Sequence, residues 1–67
     1  MKNNIRYWRK KRGYTMRKLA EASGVHHVSI CKYETGKTVP SVRSLVRIAS
    51  ALGCSVEDLL AVEQEAS

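Results

Sequence analysis

No lysine or arginine follows Arg47 in this chain of 67 residues. Residues 48–67 hold Glu57, Asp58, Glu63 and Glu65 and no base, a net charge of −4. Residues 1–47 hold all twelve bases against only Glu21 and Glu34, a net charge of +10. Such an asymmetry implies a polyanion on one side and water, or a different partner, on the other. Other absences exclude whole classes. No apolar run approaches the ~18 residues of a membrane span. The basic start MKNNIRYWRKKRG is not followed by the apolar core of a signal peptide. The expected location is therefore cytoplasmic, where Cys31 and Cys54 stay reduced; two cysteines do not make a disulfide framework. There is no glycine-rich phosphate loop and no nucleophile beside a base and an orienting carboxylate, so no enzyme is expected. No cofactor and no small-molecule ligand is implied.

What is present reads as helix throughout, and no alternating run is long enough for a strand. Ile5 and Trp8 share a face in a first helix over 4–12, which Gly13 ends. Thr15 suits the N-cap of a second helix, 16–22, with Leu19 and Ala20 inward. Ser23-Gly24-Val25 makes a tight turn. A third helix runs over 26–34, with Val25, Ile30 and Tyr33 inward and Gly36 closing it. The loop KTVPS contains Pro40, the single proline. Ser41 then caps a fourth helix, 42–52, in which Val42, Leu45, Val46, Ala49 and Leu52 follow helical spacing and Gly53 ends the run. Ser55 and Asp58 sign a capping box at the start of a fifth helix, 56–62. The expected architecture is an all-α, compact five-helix bundle forming a single domain over 1–67. Its expected core is Trp8, Leu19, Ile30, Leu45, Ala49, Leu52 and Leu59.

The second and third helices, joined by a short glycine-containing turn, have the spacing of a helix-turn-helix. The run TMRKLAEASGVHHVSICKYETGKTVPSVRSLVRIASALGCSVEDLL resembles the Cro/repressor-like, or XRE, helix-turn-helix regulators. The resemblance rests on Thr15, Leu19-Ala20, Gly24-Val25, Ile30, Glu34 with Gly36, Pro40-Ser41, Ala49, Leu52-Gly53 and Leu59-Leu60. It implies a phage repressor-like domain whose third helix enters the DNA major groove. Carried over by position, it implies base reading by His27, Val28 and Lys32, and backbone contacts at Met16, Thr35 and Lys37, with His26 beside the backbone or the first base. It further implies a homodimer on a palindromic operator, with Val56, Leu59 and Leu60 as interface candidates. Two departures stand out. Met16 occupies a place where the family usually has a phosphate-clamping glutamine, and Lys18 one where glutamate is common.

Lys18 and Arg17 carry meaning of their own. Cations in the first turn of a helix oppose its dipole by roughly 0.3–1 kcal/mol each. They make sense there if a phosphate docks on the exposed N–H groups, which makes Arg17 and Lys18 backbone candidates. Arg9, in the basic run ending at Arg12, is a further backbone candidate, with a solvated face as the plainer reading. His27 and Cys31 share a helix face, and His26 and Cys54 could complete a metal set, but no pair has zinc-finger spacing. An imidazole at His27 can accept from or donate to a base edge. Together these readings describe a sequence-specific double-stranded DNA-binding transcriptional repressor. The alternative is a protein-interaction module, an antitoxin-like adaptor that uses the same fold.

Overall fold

The computed structural model describes residues 3–60, and among them it contains five α-helices and no strand. These are α1 (Ile5–Lys11), α2 (Met16–Ser23), α3 (His27–Glu34), α4 (Val42–Leu52) and α5 (Val56–Leu60). Among the described residues no helix is long and apolar enough to cross a membrane. Helix α2 packs on α3 and α4, α5 packs on α4, and α1 touches both α3 and α4. Ile5, Leu19, Ile30, Ile48, Leu52 and Leu59 are fully enclosed at the centre, and Val25, Tyr33, Leu45 and Ala49 are nearly so. Burying one such aliphatic side chain contributes about 1.5–3 kcal/mol.

Side-chain caps mark most helix starts. The Thr15 hydroxyl accepts from the Lys18 amide at 3.0 Å, and the Ser41 hydroxyl accepts from the Ser44 amide at 3.1 Å. At α5 the exchange is reciprocal: Ser55 Oγ accepts from the Asp58 amide at 3.0 Å, and Asp58 Oδ2 accepts from the Ser55 amide at 3.1 Å. Helix α1 is anchored differently. Asn3 Oδ1 accepts from the Ile5 amide, while the Asn4 amide and side chain donate to the carbonyls of Leu59 and Asp58. The start of α1 is thereby tied to α5. Its far end is tied to α4, because Arg12 Nε donates to the Leu52 carbonyl at 2.7 Å, and a carbonyl in the last turn of a helix has no intrahelical donor.

The structure corrects several expectations. On α4 the buried stripe is Leu45, Ile48, Ala49 and Leu52, while Val42 and Val46 are 74% and 51% exposed. Trp8 is half-buried rather than central; the cations of Lys11 and Arg12 lie 5.2 and 5.3 Å from its ring. Helix α3 begins at His27, and His26 is its cap. Leu59 is fully enclosed in the core and cannot serve as a dimer contact, which leaves half-buried Val56 and exposed Leu60. The last expected helical residues, 61 and 62, lie outside the described residues.

Candidate nucleic-acid interface

The junction of α2 and α3 is built on three residues. Gly24 ends α2 at φ +77, a left-handed conformation that would strain any side chain, and its amide donates to the Ala20 carbonyl. The Val25 amide donates to Ser23 Oγ at 3.2 Å, and the Val25 side chain is buried, so the turn is fixed from inside. His26 then caps α3: its Nδ1 accepts from the Val28 amide at 3.1 Å. The His26 and His27 rings stack, with centroids 4.7 Å apart and planes 25° from parallel. His27 is half-buried, Val28 is 45% exposed, and Lys32 is exposed one turn further along the helix. The structure thus brings the three expected base readers onto the accessible surface of α3.

The first turn of α2 is exposed as well. Arg17 and Lys18 are exposed in its first turn, which holds no acid. The N–H groups of Met16 and Arg17 precede the first intrahelical bond and point out of the helix end. The Met16 side chain does not join them; it is half-buried and packs on the core, so only its amide is available to an anion. At the other end of α3, the Thr35 hydroxyl donates to the Cys31 carbonyl at 3.0 Å. Its proton is engaged, and the lone pairs that remain have nothing to give a phosphate. Lys37 keeps an exposed ammonium, while its amide is taken by the Lys32 carbonyl.

Arg9 departs most from expectation. It is 8% exposed, and its Nε and Nη2 donate to both oxygens of Glu34 at 2.6 and 3.0 Å. Its Nη1 donates to the Tyr14 carbonyl. The hydrogen bond to Glu34 raises the guanidinium pKa above its ordinary value, against the opposing pull of burial. A side chain so enclosed cannot lie along a phosphate backbone. Arg9 instead fastens the end of α3 to α1, which sets how α3 presents its outer face. Asn3 Nδ2, donating to the Tyr33 carbonyl, and the Tyr33 hydroxyl, bonded to Ser44 Oγ at 3.1 Å, add to that anchorage. The signal for Arg9 was present in the sequence: it sits four residues after Ile5, on the same helix face. Arg47 has no local signal to set it apart; its Nη1 comes within 3.8 Å of where a Cβ at Gly24 would stand, which puts a cation by the turn. Among the described residues no cluster of three or more His, Cys, Asp or Glu could hold a metal ion.

The sequence model of the family described as "Helix-turn-helix" matches residues 5–59. The chain belongs to the helix-turn-helix family. This helix-turn-helix protein is 34% identical over 65 residues to the HTH-type transcriptional regulator YgzD of Bacillus subtilis, covering 97% of this chain and 98% of the relative. It is 39% identical over 51 residues to the HTH-type transcriptional regulator DicA of Escherichia coli, covering 76% of this chain but 38% of DicA. It is 34% identical over 59 residues to the phage CTXphi transcriptional repressor RstR of Vibrio cholerae, covering 88% of this chain and 53% of RstR. Among solved structures, the SinR/SinI protein complex superposes with a TM-score of 0.87 at 31% identity, over 96% of this chain and 63% of that one. SinR in complex with DNA superposes with a TM-score of 0.77 at 31% identity, over 81% and 87%.

Proposed function

We propose that this protein is a sequence-specific double-stranded DNA-binding transcriptional repressor that acts in the cytoplasm without a cofactor. The observation that carries the reading is the pair of exposed helix starts: α2 presents Arg17 and Lys18 with no acid in its first turn, and α3 leaves His27, Val28 and Lys32 accessible. RstR is named a transcriptional repressor, and a similar SinR fold is seen in complex with DNA. Helix α3 enters the major groove. His27 and Lys32 meet polar base edges there, and Val28 supplies apolar contact of the kind a thymine methyl accepts. Arg17, Lys18, Lys37, the Met16 amide and the outward Nε2 of His26 meet phosphates, which position the helix without carrying sequence information.

One α3 reads only a few base pairs. Useful specificity follows from two copies on a dyad whose half-sites lie about 34 Å apart, one helical turn. Val56 and Leu60, near the end of the described chain, are the residues left to form such a dimer. Selection of bound duplexes from a random-sequence pool tests the whole reading. The expected result is one dyad-symmetric site bound by two chains, with affinity falling steeply as salt rises. A site without a dyad, bound by one chain, would remove the dimer and keep the reader. Retention of no duplex would leave the adaptor role as the surviving reading of the fold.

A further inference from the structure

We infer that His26 is a positioning residue for base reading: its imidazole, fixed by the cap bond to Val28, is the platform that orients the His27 ring. The inference rests on the DNA-reading role proposed above. Because Nδ1 accepts from the Val28 amide at 3.1 Å, the neutral ring carries its proton on Nε2, and the ring is held against the first turn of α3. The His27 ring lies against it at 4.7 Å and 25°. His26 and His27 line one open groove of about 340 Å³ together with Ala20, Glu21, Gly24 and Val25. Without a neighbour, a side chain at the start of an exposed helix samples several rotamers, and that freedom is lost when it binds. The stack removes part of it beforehand.

The identity of the cap supports this. Serine, threonine, aspartate and asparagine are the residues favoured at N-caps, and α2, α4 and α5 of this domain start with Thr15, Ser41 and Ser55. Among the described helices only α3 is capped by an imidazole. A cap needs an acceptor; it does not need a ring. The ring is explained if it has a second task, that of holding its neighbour. Recognition at one base pair then depends on a residue that touches no base.

Two substitutions at His26 separate the tasks. His26→Asn keeps a capping acceptor and removes the ring, whereas His26→Phe keeps a ring and removes the acceptor. His27→Ala identifies the base pair concerned, as the one whose preference it erases. The measurements are melting temperature, the NMR shifts of the His27 ring protons in the free protein, and base preference at each pair of the selected site. His26→Asn should melt close to the wild type, with His27 ring signals moved downfield. Its preference at that pair should fall about fivefold, the low end of what one base contact discriminates, with other pairs unchanged. His26→Phe should melt about 5 °C lower through loss of the cap and, with a ring no longer fixed by that bond, keep a preference between those of the wild type and His26→Asn. Wild-type preference at every pair in His26→Asn, with the His27 signals unmoved, would overturn the inference alone, as would a His27→Ala protein that loses no preference. A wild-type protein that enriches no sequence would sink the DNA reading and this inference together.

Discussion

Helices α2 and α5 begin with the same device and opposite charge. Each start is capped by a hydroxyl that accepts from an amide three residues on. In α5 that third residue is Asp58, which returns a bond to the Ser55 amide beside Glu57. In α2 it is Lys18, beside Arg17, and nothing returns. Two acids at a helix start agree with its dipole, and two cations oppose it. One helix is therefore finished for stability, while the other leaves its positive end open, at a cost in stability that an incoming phosphate would reverse. Helices α3 and α4 also lack acids in their first turns, so α5 is the exception among the capped helices.

The largest effect would break this division, because the acid that matters most to stability sits in the basic half. Glu34 is nearly enclosed and holds both donors of Arg9. Replacing it with Gln leaves the Arg9 charge buried beside a neutral partner, which costs about 3–5 kcal/mol. In a domain of this size the melting temperature should drop by at least about 12 °C. A thermal melt displaced by under about 4 °C would mean that water reaches the pair.

Next comes an exchange of charge at α2. Lys18→Glu gives Thr15 the acidic partner that Ser55 already has in α5. Stability should rise by about 0.5 kcal/mol from the box and the dipole. Affinity for the selected duplex should fall at least about tenfold, and the slope of log affinity against log salt should flatten by about one unit, equally for all sequences. A variant that is both more stable and equally tight on DNA would show that the cations at α2 face only water.

The matching change at α5 is smaller and purely structural. Asp58→Ala removes the returned bond and should lower stability by about 1 kcal/mol, read by urea titration. The salt slope on DNA should stay where it was. If Asp58→Ala alters that slope, α5 also lies within reach of the phosphates, and the contrast between the two helix starts fails.

What could be read from the sequence follows the same line between local and tertiary causes. Helix positions, the capping box at α5 and the glycine at the α2–α3 turn are local, and each has a residue type that announces it. The inner face of α4 is not local. Val42, Leu45, Val46, Ala49 and Leu52 form one helical stripe, and Leu45, Ile48, Ala49 and Leu52 form another; only packing against α2 and α5 selects the second. Arg9 was hidden for a related reason. In a run of exposed cations nothing but its register with Ile5 sets it apart, and its partner Glu34 is 25 residues away. His26 was placed within one residue of its position, yet its cap bond depends on a backbone turn that composition does not specify.

The smallest effect concerns the two thiols, one in each half. Cys31 is exposed on α3, one turn after His27. Cys54 is half-buried between α4 and α5 and packs on the core. Burial and the Asp58 carboxylate push the Cys54 thiol above its ordinary pKa, and the Arg12 guanidinium offsets this only in part. The reactive species is the thiolate, so a raised pKa lowers its share at neutral pH and moves the rise in reactivity to higher pH. With a disulfide reagent at pH 7.5, Cys31 should react first and Cys54 later, and the Cys54 rate should still be climbing above the pH at which a free thiol levels off. Adding the selected duplex should slow Cys31, because α3 in the groove covers it, and leave Cys54 as it was. Equal slowing of both thiols would mean that DNA tightens the whole domain. Slowing of Cys54 alone would put the contact on the acidic side and reverse the assignment of the two halves.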